Sequence, residues 1–318
     1  MKFRSGFVAI LGRPNAGKST LLNALAGEKL AIVSPKPQTT RTRVLGVIHV
    51  PKKKGRPGAQ LVVIDTPGVH RPDSPLGRKM MHDVNEALNG SDLVLAIVDA
   101  RRREETEDEF LLERVASAKT PAFLLLNKID LLGGEKRRLL PLMERYSRRH
   151  AFQEIIPISA RRREGLDLLV EKLVAAMPEG PPYFSPDQIT DQPARFMAAE
   201  LVREQVLLAT SEEVPHSTTV VVEEFEEGEK LTRIAATIYC EREGQKRILV
   251  GRQGQMLKKI GTAARLEIEK MLGTRVFLEL FVKVHPHWRE SRGFVEALDW
   301  RRQLEHLVAV ETGRAPEP

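Results

Sequence analysis

The sequence predicts an α/β domain built on a mainly parallel, doubly wound sheet, followed by a smaller α+β domain. Two patterns carry the first part. The runs Phe7–Leu11, Leu61–Ile64, Leu93–Val98, Ala122–Leu126 and Ile155–Ile158 are nearly all apolar, as strands buried on both faces are. Helical patterns alternate with them at Lys18–Ala26, Pro75–Leu88, Glu105–Ser117, Glu135–Arg149 and Glu164–Ala176, and alternation of this kind is the signature of an α/β fold. A change of texture carries the second part. The proline-rich stretch Pro178–Pro186 cannot continue a helix. Beyond it come a helix at Ala194–Thr210, strands at Thr218–Phe225 and Ile234–Glu241, a glycine-bounded turn, a long amphipathic helix and a last strand at Val276–Val284. The expected boundaries are 1–176 for the first domain, 177–193 for a linker, 194–290 for the second domain and 291–318 for a C-terminal helix and tail, disordered over Glu311–Pro318.

The chain has 318 residues, 42% of them hydrophobic and 29% charged, enough for two domains with cores of their own. The net charge of +7 comes from 50 basic and 43 acidic residues. That balance suits a polyanionic partner, whether RNA, DNA or an anionic membrane. Basic runs lie at Lys52–Lys54, Arg101–Arg103, Lys136–Arg138 and Arg161–Arg163, most of them expected to be solvated loops and helix ends. The single cysteine, Cys240, cannot form an internal disulfide and reads as a small buried hydrophobe in a strand. The opening MKFRSGFVAILG reads as a first strand rather than a signal peptide, because a phosphate loop follows it directly. No stretch approaches the ~18 apolar residues of a membrane span.

Gly12-Arg-Pro-Asn-Ala-Gly17-Lys18-Ser19 matches G-x-x-x-x-G-K-[ST], after an expected strand and before an expected helix. Gly12, Asn15, Ala16, Gly17 and the helix start at Lys18, Ser19 and Thr20 form the expected phosphate cradle, where backbone amides and the helix dipole favour an anion. Lys18 is placed to reach the β- and γ-phosphates and Ser19 to ligate Mg²⁺. Asp65-Thr-Pro-Gly68 ends an apolar run. Asp65 suits a Mg²⁺ held through water, and the Gly68 amide can approach the γ-phosphate closely.

Asn127-Lys-Ile-Asp130 decides the base. Guanine presents two donors on one edge, which the two oxygens of Asp130 can accept; adenine does not. Asn127 is expected to brace the loop, Lys128 to lay its stem along the base, and a backbone amide of Ser159-Ala160 to meet the guanine oxygen.

These four motifs in series resemble the translation-factor-related GTPases. Gly12–Ser19, the segment Ser34-Pro-Lys-Pro-Gln-Thr-Thr-Arg41, DTPG and NKID together resemble the Era family more closely. The resemblance implies an α/β P-loop GTPase domain that hydrolyses GTP to GDP with Mg²⁺. In it Lys18, Thr40 and Gly68 act at the γ-phosphate, and Thr40, with Thr39 as second choice, joins Ser19 and Asp65 at the metal. Related GTPases also suggest a K⁺ ion beside Asn15. Where Ras-like enzymes carry a water-orienting glutamine, this chain has Val69, so hydrolysis should be slow. His70 and Arg71 are minor candidates for the missing group.

In the second domain, Leu249-Val-Gly251-Arg-Gln-Gly254-Gln-Met-Leu-Lys-Lys-Ile260-Gly is similar to the G-x-x-G loop of a KH domain, which clamps single-stranded nucleic acid backbone. Gly251, Arg252, Gln253, Gly254, Lys258 and Lys259 are the candidate RNA-binding residues, and Leu257, Ile260, Ala264 and Ile268 share the apolar face of the following helix. By propensity Arg247–Val250 reads as a strand; a KH domain, here of type II, requires a short helix there. Trp288 is expected to pack in the core, with base stacking as the other reading. GTPase followed by KH is the Era pattern. It implies binding of the 3′ end of 16S ribosomal RNA in small (30S) subunit maturation, by a cytoplasmic monomer with no obligate protein partner and room for peripheral contact at the inner face of the cell membrane. Two other readings are open, an assembly scaffold with a nearly inactive nucleotide site and a membrane-surface switch.

Overall fold

The computed structural model describes residues 2–101 and 106–301. The chain divides into two compact units, one of Met1–Arg71 with Met80–Asp191, the other of Pro72–Lys79 with Gln192 onward.

In chain order the first stretch holds β1 (Arg4–Gly12), α1 (Lys18–Ala26), β2 (Val44–Val50), β3 (Ala59–Asp65), α2 (Pro75–Asn89), β4 (Leu93–Asp99), α3 (Thr106–Ala118), β5 (Ala122–Asn127), α4 (Leu139–Arg149), β6 (Glu154–Pro157) and α5 (Leu166–Ala176). The strands form one sheet in the order β2-β3-β1-β4-β5-β6, parallel throughout except for β2, which runs antiparallel to β3. Both faces are covered. On one, Val8, Ile10, Leu61 and Leu95 pack with Leu21 and Leu22 of α1 and Leu169 and Leu173 of α5. On the other, Ala9, Leu11, Val94 and Leu124 pack with Val84, Leu111, Val115 and Tyr146. Alternate residues of β1 thus feed opposite cores, which is why the strand reads as one apolar run.

The sequence reading missed β2. Gly46 and His49 interrupt its apolar residues, and as an edge strand it carries a weaker pattern. It also began the fourth helix too early. Gly133–Arg138 is a 3₁₀ stretch, and α4 starts at Leu139. That start places Pro141 in the first helical turn, where a missing N–H costs nothing.

The segment expected to be a linker is bound to the sheet. Gly180 N donates to Phe3 O and Ser5 N to Pro178 O. Val47 N donates to Ile189 O at 2.8 Å, and the Thr190 hydroxyl to Leu45 O at 2.7 Å. Gln60 of β3, wholly buried, clasps the strap. Its Oε1 accepts from Tyr183 N and Phe184 N, and its Nε2 donates to Phe184 O. The open edge of β2 is covered in this way.

The second unit contains α6 (Ala194–Ala209), β7 (Thr219–Glu226), β8 (Leu231–Cys240), α7 (Glu243–Val250), α8 (Gln255–Leu272), β9 (Arg275–Val284) and α9 (Arg292–Ala297). Its sheet has the order β7-β8-β9, with β7 antiparallel and β9 parallel to β8. Ile234, Ala236 and Ile238 are buried, as are Ile260, Ala264 and Ile268 of α8, while Leu257 is half-buried. The propensity reading of Arg247–Val250 as a strand is overturned: it is the last part of α7. The helix is fixed at its start, where Gln245 Oε1 accepts from Glu241 N and Arg242 N, and by Leu249, which is fully buried. Tertiary packing outweighs the β-propensity of Ile248 and Val250. Trp288 is fully buried and donates from Nε1 to Ser217 O at 2.8 Å, so it packs rather than stacks on a base. Cys240 is a free, buried thiol. Among the described residues no helix is long and apolar enough to cross a membrane. Of the segment 291–318, expected as a C-terminal helix and tail, residues 291–301 are described and hold α9; residues 302–318, with the tail at Glu311–Pro318, lie outside the described residues.

Gln60→Leu strips partners from three backbone groups of the strap. At about 1 kcal/mol or less for each group that gains water instead, it should lower stability by about 2 kcal/mol, read as a fall in the urea midpoint at unchanged slope.

Candidate functional site

The phosphate loop leaves β1 at Gly12 and enters α1 at Lys18. Gly17 sits at φ 103° with no side chain capping the helix. A Cβ there would lie 2.2 Å from Asn127 Nδ2, so glycine is obligatory on two counts. Asn15 also takes a positive φ of 62°, and its Nδ2 donates to Pro35 O at 2.7 Å. Lys18 is nearly wholly buried. Its ammonium donates to Gly12 O at 3.2 Å and Arg13 O at 3.1 Å, curling back over the loop. Burial lowers its pKa to about 8, with the nearby Asp65 carboxylate opposing the shift.

Three hard oxygen donors converge beside it. Ser19 Oγ donates to Asp65 Oδ2 at 2.6 Å and lies 2.8 Å from Thr40 Oγ1. Thr40 Oγ1 is 3.3 Å from the same carboxylate oxygen. Asp65 is fully buried, and its Oδ1 has no hydrogen-bond partner. Burial raises its pKa, against the pull of Lys18 and the two hydroxyls. A buried carboxylate oxygen without a donor, next to two hydroxyls, fits a small divalent cation such as Mg²⁺. Thr39, the second choice, points elsewhere, donating to Lys36 O at 2.7 Å.

Gly68 passes so close to the loop that a Cβ would meet Pro14 atoms at 2.6–2.9 Å. Val69 N donates to Gly12 O at 3.0 Å, and its side chain is buried in the core with Leu11, Met81 and Val84. His70 Nδ1 donates to Gly68 O at 2.8 Å.

At the far end, Asn127 bridges the loops. Its Nδ2 donates to Ala16 O at 2.8 Å and its Oδ1 accepts from Ala160 N at 3.0 Å. Lys128, at φ 68°, donates to Asn15 O at 2.6 Å and pairs with Asp99 at 2.9 Å. Asp130 accepts from the Ser159 hydroxyl at 2.7 Å, and Arg162 Nε stands 3.8 Å from its other oxygen. The expected amide for a guanine oxygen is engaged otherwise here. Ser159 N donates to Glu164 O and Ala160 N to Asn127, so this dipeptide is seen bracing the base loop.

A cavity of about 360 Å³ joins these parts. Asn15, Gly17, Lys18, Ser19, Thr20, Thr40, Gly68, Asn127, Lys128, Asp130 and Ala160 all line it; Gly12, Ala16, Asp65 and Ser159 support it from behind. Its size suits a nucleotide. Sequence reasoning passed over Asp99 and met Arg101 only as part of a basic run; neither belongs to a motif.

In the second unit the G-x-x-G turn joins α7 to α8. Gly251, Gln253 and Gly254 all take positive φ, at 71°, 50° and 76°, and a Cβ on Gly251 would lie 2.7 Å from Met256 Cβ. Arg252, Gln253, Lys258 and Lys259 are exposed or half-exposed, so the turn offers bare backbone flanked by cations.

Residues 7–128 match the family model of the 50S ribosome-binding GTPase, and residues 213–289 that of the KH domain. GTPase Era of Ruminiclostridium cellulolyticum is 47% identical over 302 residues, covering 95% of this chain and 99% of that protein. The chain belongs to the Era family of GTPases. Its fold is accordingly a P-loop GTPase domain followed by a KH domain. Two solved Era structures agree. A variant from Aquifex aeolicus bound to GDP and AlF₄⁻ matches with a TM-score of 0.88 at 40% identity, covering 93% of this chain and 99% of that one. An Era complex with MgGDPNP and nucleotides 1506–1542 of 16S ribosomal RNA matches with a TM-score of 0.89 at 41% identity, covering 94% and 99%.

Asp130→Asn should exchange guanine for xanthine, whose 2-oxo group accepts from an amide. Competition binding should show XTP preferred over GTP; retained GTP preference would disprove the base-reading role.

Proposed function

We propose that this chain is a Mg²⁺-dependent GTP-hydrolysing switch that clamps the single-stranded 3′ region of 16S ribosomal RNA during assembly and maturation of the 30S subunit. The observation that supports it best is the single cavity with a buried lysine and a hydroxyl–hydroxyl–carboxylate set at one end and an acceptor-only carboxylate at the other. The family model's description names the large subunit, but it covers only the first domain. The Era complex that aligns with 94% of the chain, KH domain included, holds small-subunit RNA, and it is the better guide.

In this reading Asp130 accepts the two guanine donors, and Ser159 holds the carboxylate in orientation. Asn127 keeps the base loop and the phosphate loop in register. The loop amides and Lys18 receive the β- and γ-phosphates, whose negative charge favours the lysine's protonated form. Ser19 and Thr40, with Asp65 through water, hold Mg²⁺, which offsets charge on the β- and γ-oxygens. The Gly68 amide, unshielded by any side chain, faces the γ-phosphate. Water attacks phosphorus and the bond to the bridging oxygen breaks, giving GDP and phosphate. Val69 turns its isopropyl group into the core and orients no water, so basal turnover is slow. The protein acts as a monomer in the cytoplasm, with peripheral contact at the inner face of the membrane compatible with its charge of +7.

In the same reading the amide oxygen of Asn15, whose Nδ2 donates to Pro35 O, meets a K⁺ ion at the phosphates, where an extra cation offsets developing charge. Turnover should then be several-fold faster in potassium than in sodium chloride at matched ionic strength; equal rates would remove the ion from the mechanism.

The RNA clamp is tested by changing Arg252 and Gln253 both to Asp. Two negative charges against a phosphodiester backbone are strongly unfavourable. Affinity for a single-stranded 16S 3′ fragment should fall at least about 100-fold, which is roughly 2.7 kcal/mol, while GDP affinity stays within about twofold of wild type. Retained RNA affinity would place the clamp elsewhere.

A further inference from the structure

Behind Arg101 and Lys128, which line the cavity near Asp130, stands a carboxylate that no motif contains. Asp99 is the last residue of β4, in register with Asn127 of β5. Its side chain is only 5% exposed. Oδ1 accepts from Arg101 N at 3.1 Å and Arg101 Nε at 3.0 Å. Oδ2 accepts from Arg101 Nη2 at 2.7 Å and lies 2.9 Å from Lys128 Nζ. Burial by itself would raise the pKa of this carboxyl; the hydrogen bonds from Arg101 and Lys128 outweigh it and hold the pKa at about 2.

Lys128 is then fixed at both ends. Its backbone is left-handed at φ 68°, a conformation uncommon for a lysine. Its ammonium spans from Asp99 to the phosphate-loop carbonyl of Asn15 at 2.6 Å. Asp99 thus holds Arg101 and Lys128 of the cavity wall directly, and the phosphate loop through the Lys128 ammonium.

We propose that Asp99 is a positioning residue for the guanine nucleotide, which stretches Lys128 across the cavity so that its stem forms a ready-made wall for the base. The proposal rests on reading the cavity as a guanine-nucleotide site. Preorganisation of this kind lowers the ordering cost of binding. It acts on the nucleoside, which GTP and GDP share, so it should alter binding of both and leave the chemical step alone.

Charge and position make opposite forecasts. Asp99→Asn adds one positive charge to the wall, and by long-range attraction alone the variant would bind anionic nucleotides more tightly. Loss of positioning frees Lys128 and weakens binding. The sign of the change separates the two.

The test uses the full chain with fluorescent N-methylanthraniloyl-GDP, unlabelled GTP and steady-state turnover. Asp99→Asn should bind both nucleotides about tenfold more weakly and show a raised KM with kcat unchanged. Asp99→Glu, which keeps the charge, should bind within about threefold of wild type. In a Lys128→Met background, Asp99→Asn should cost less than a further twofold, because the lysine it acts through is gone. Unchanged or tighter binding by Asp99→Asn would overturn the proposal. So would a loss in Asp99→Glu as large as in the Asn variant, or fully additive losses in the double variant, since a merely structural role gives additivity. Failure of the wild type to bind the labelled GDP would instead overturn the reading of the cavity itself.

Discussion

The nucleotide domain depends on one side chain that ties its own loop to two others. Asn127 donates to Ala16 O, accepts from Ala160 N and packs so closely on Gly17 that no Cβ fits between them. It is nearly wholly buried, where an amide left unpaired would cost about 1–3 kcal/mol. Both its polar atoms are paired across long sequence separations, to the phosphate loop and to the turn after β6. The chain ends of β1, β5 and β6 are thereby held together around one cavity. A phosphate cradle and a base-reading carboxylate are each common devices; they become one site because a rigid amide holds them a fixed distance apart.

A second constraint works through glycine and positive φ. Gly17, Asn15 and Lys128 in the first unit, and Gly251, Gln253 and Gly254 in the second, all lie in the left-handed region. Where the residue is glycine this carries little strain. Where it is Asn15, Lys128 or Gln253 something must hold it. Asn15 is tied to Pro35 O, and Lys128 to Asn15 O and Asp99. Gln253 is exposed and sits between two positive-φ glycines. Strain of this sort occurs at binding loops; here Asn15 and Lys128 line the cavity and Gln253 lies in the G-x-x-G turn, while Lys119, Glu212 and His287 take positive φ away from both.

How much of this could be read from the sequence depends on how local each feature is. The phosphate loop, DTPG and NKID are short spacings, and each turned out to line or support one cavity. The strands β1, β4 and β5 were legible because burial on both faces makes them uniformly apolar. The features that escaped notice act at a distance. Strand β2 is broken by Gly46 and His49 and, at the edge of the sheet, pairs with β3. Gln60 looks like a stray polar residue in an apolar strand until residues 183 and 184 arrive to use its amide. Asp99 ends β4 as any turn aspartate would; only the fold brings Lys128 to it. The strand reading of Arg247–Val250 failed for the same reason, since the partners that favour a helix, Gln245 at its start and the core around Leu249, do not show in its own composition.

Strand β2 links these observations. Its first residue, Val44, is in register with Asp65, and a few residues earlier the same segment carries Thr40 to the Ser19–Asp65 pair. Its outer edge, at Leu45 O and Val47 N, holds the strap through Thr190 and Ile189. The inner edge of β2 is hydrogen-bonded to β3 along seven residue pairs, so the strand moves with β3 or not at all. The strap is held to β2 by few hydrogen bonds, each contributing about 0.5–1.5 kcal/mol, whereas the β2–β3 ladder is long and adjoins the core. Gln60 of β3 and the backbone of Phe3 and Ser5 hold the strap as well, so the cover over the open edge of β2 is anchored largely on its neighbours.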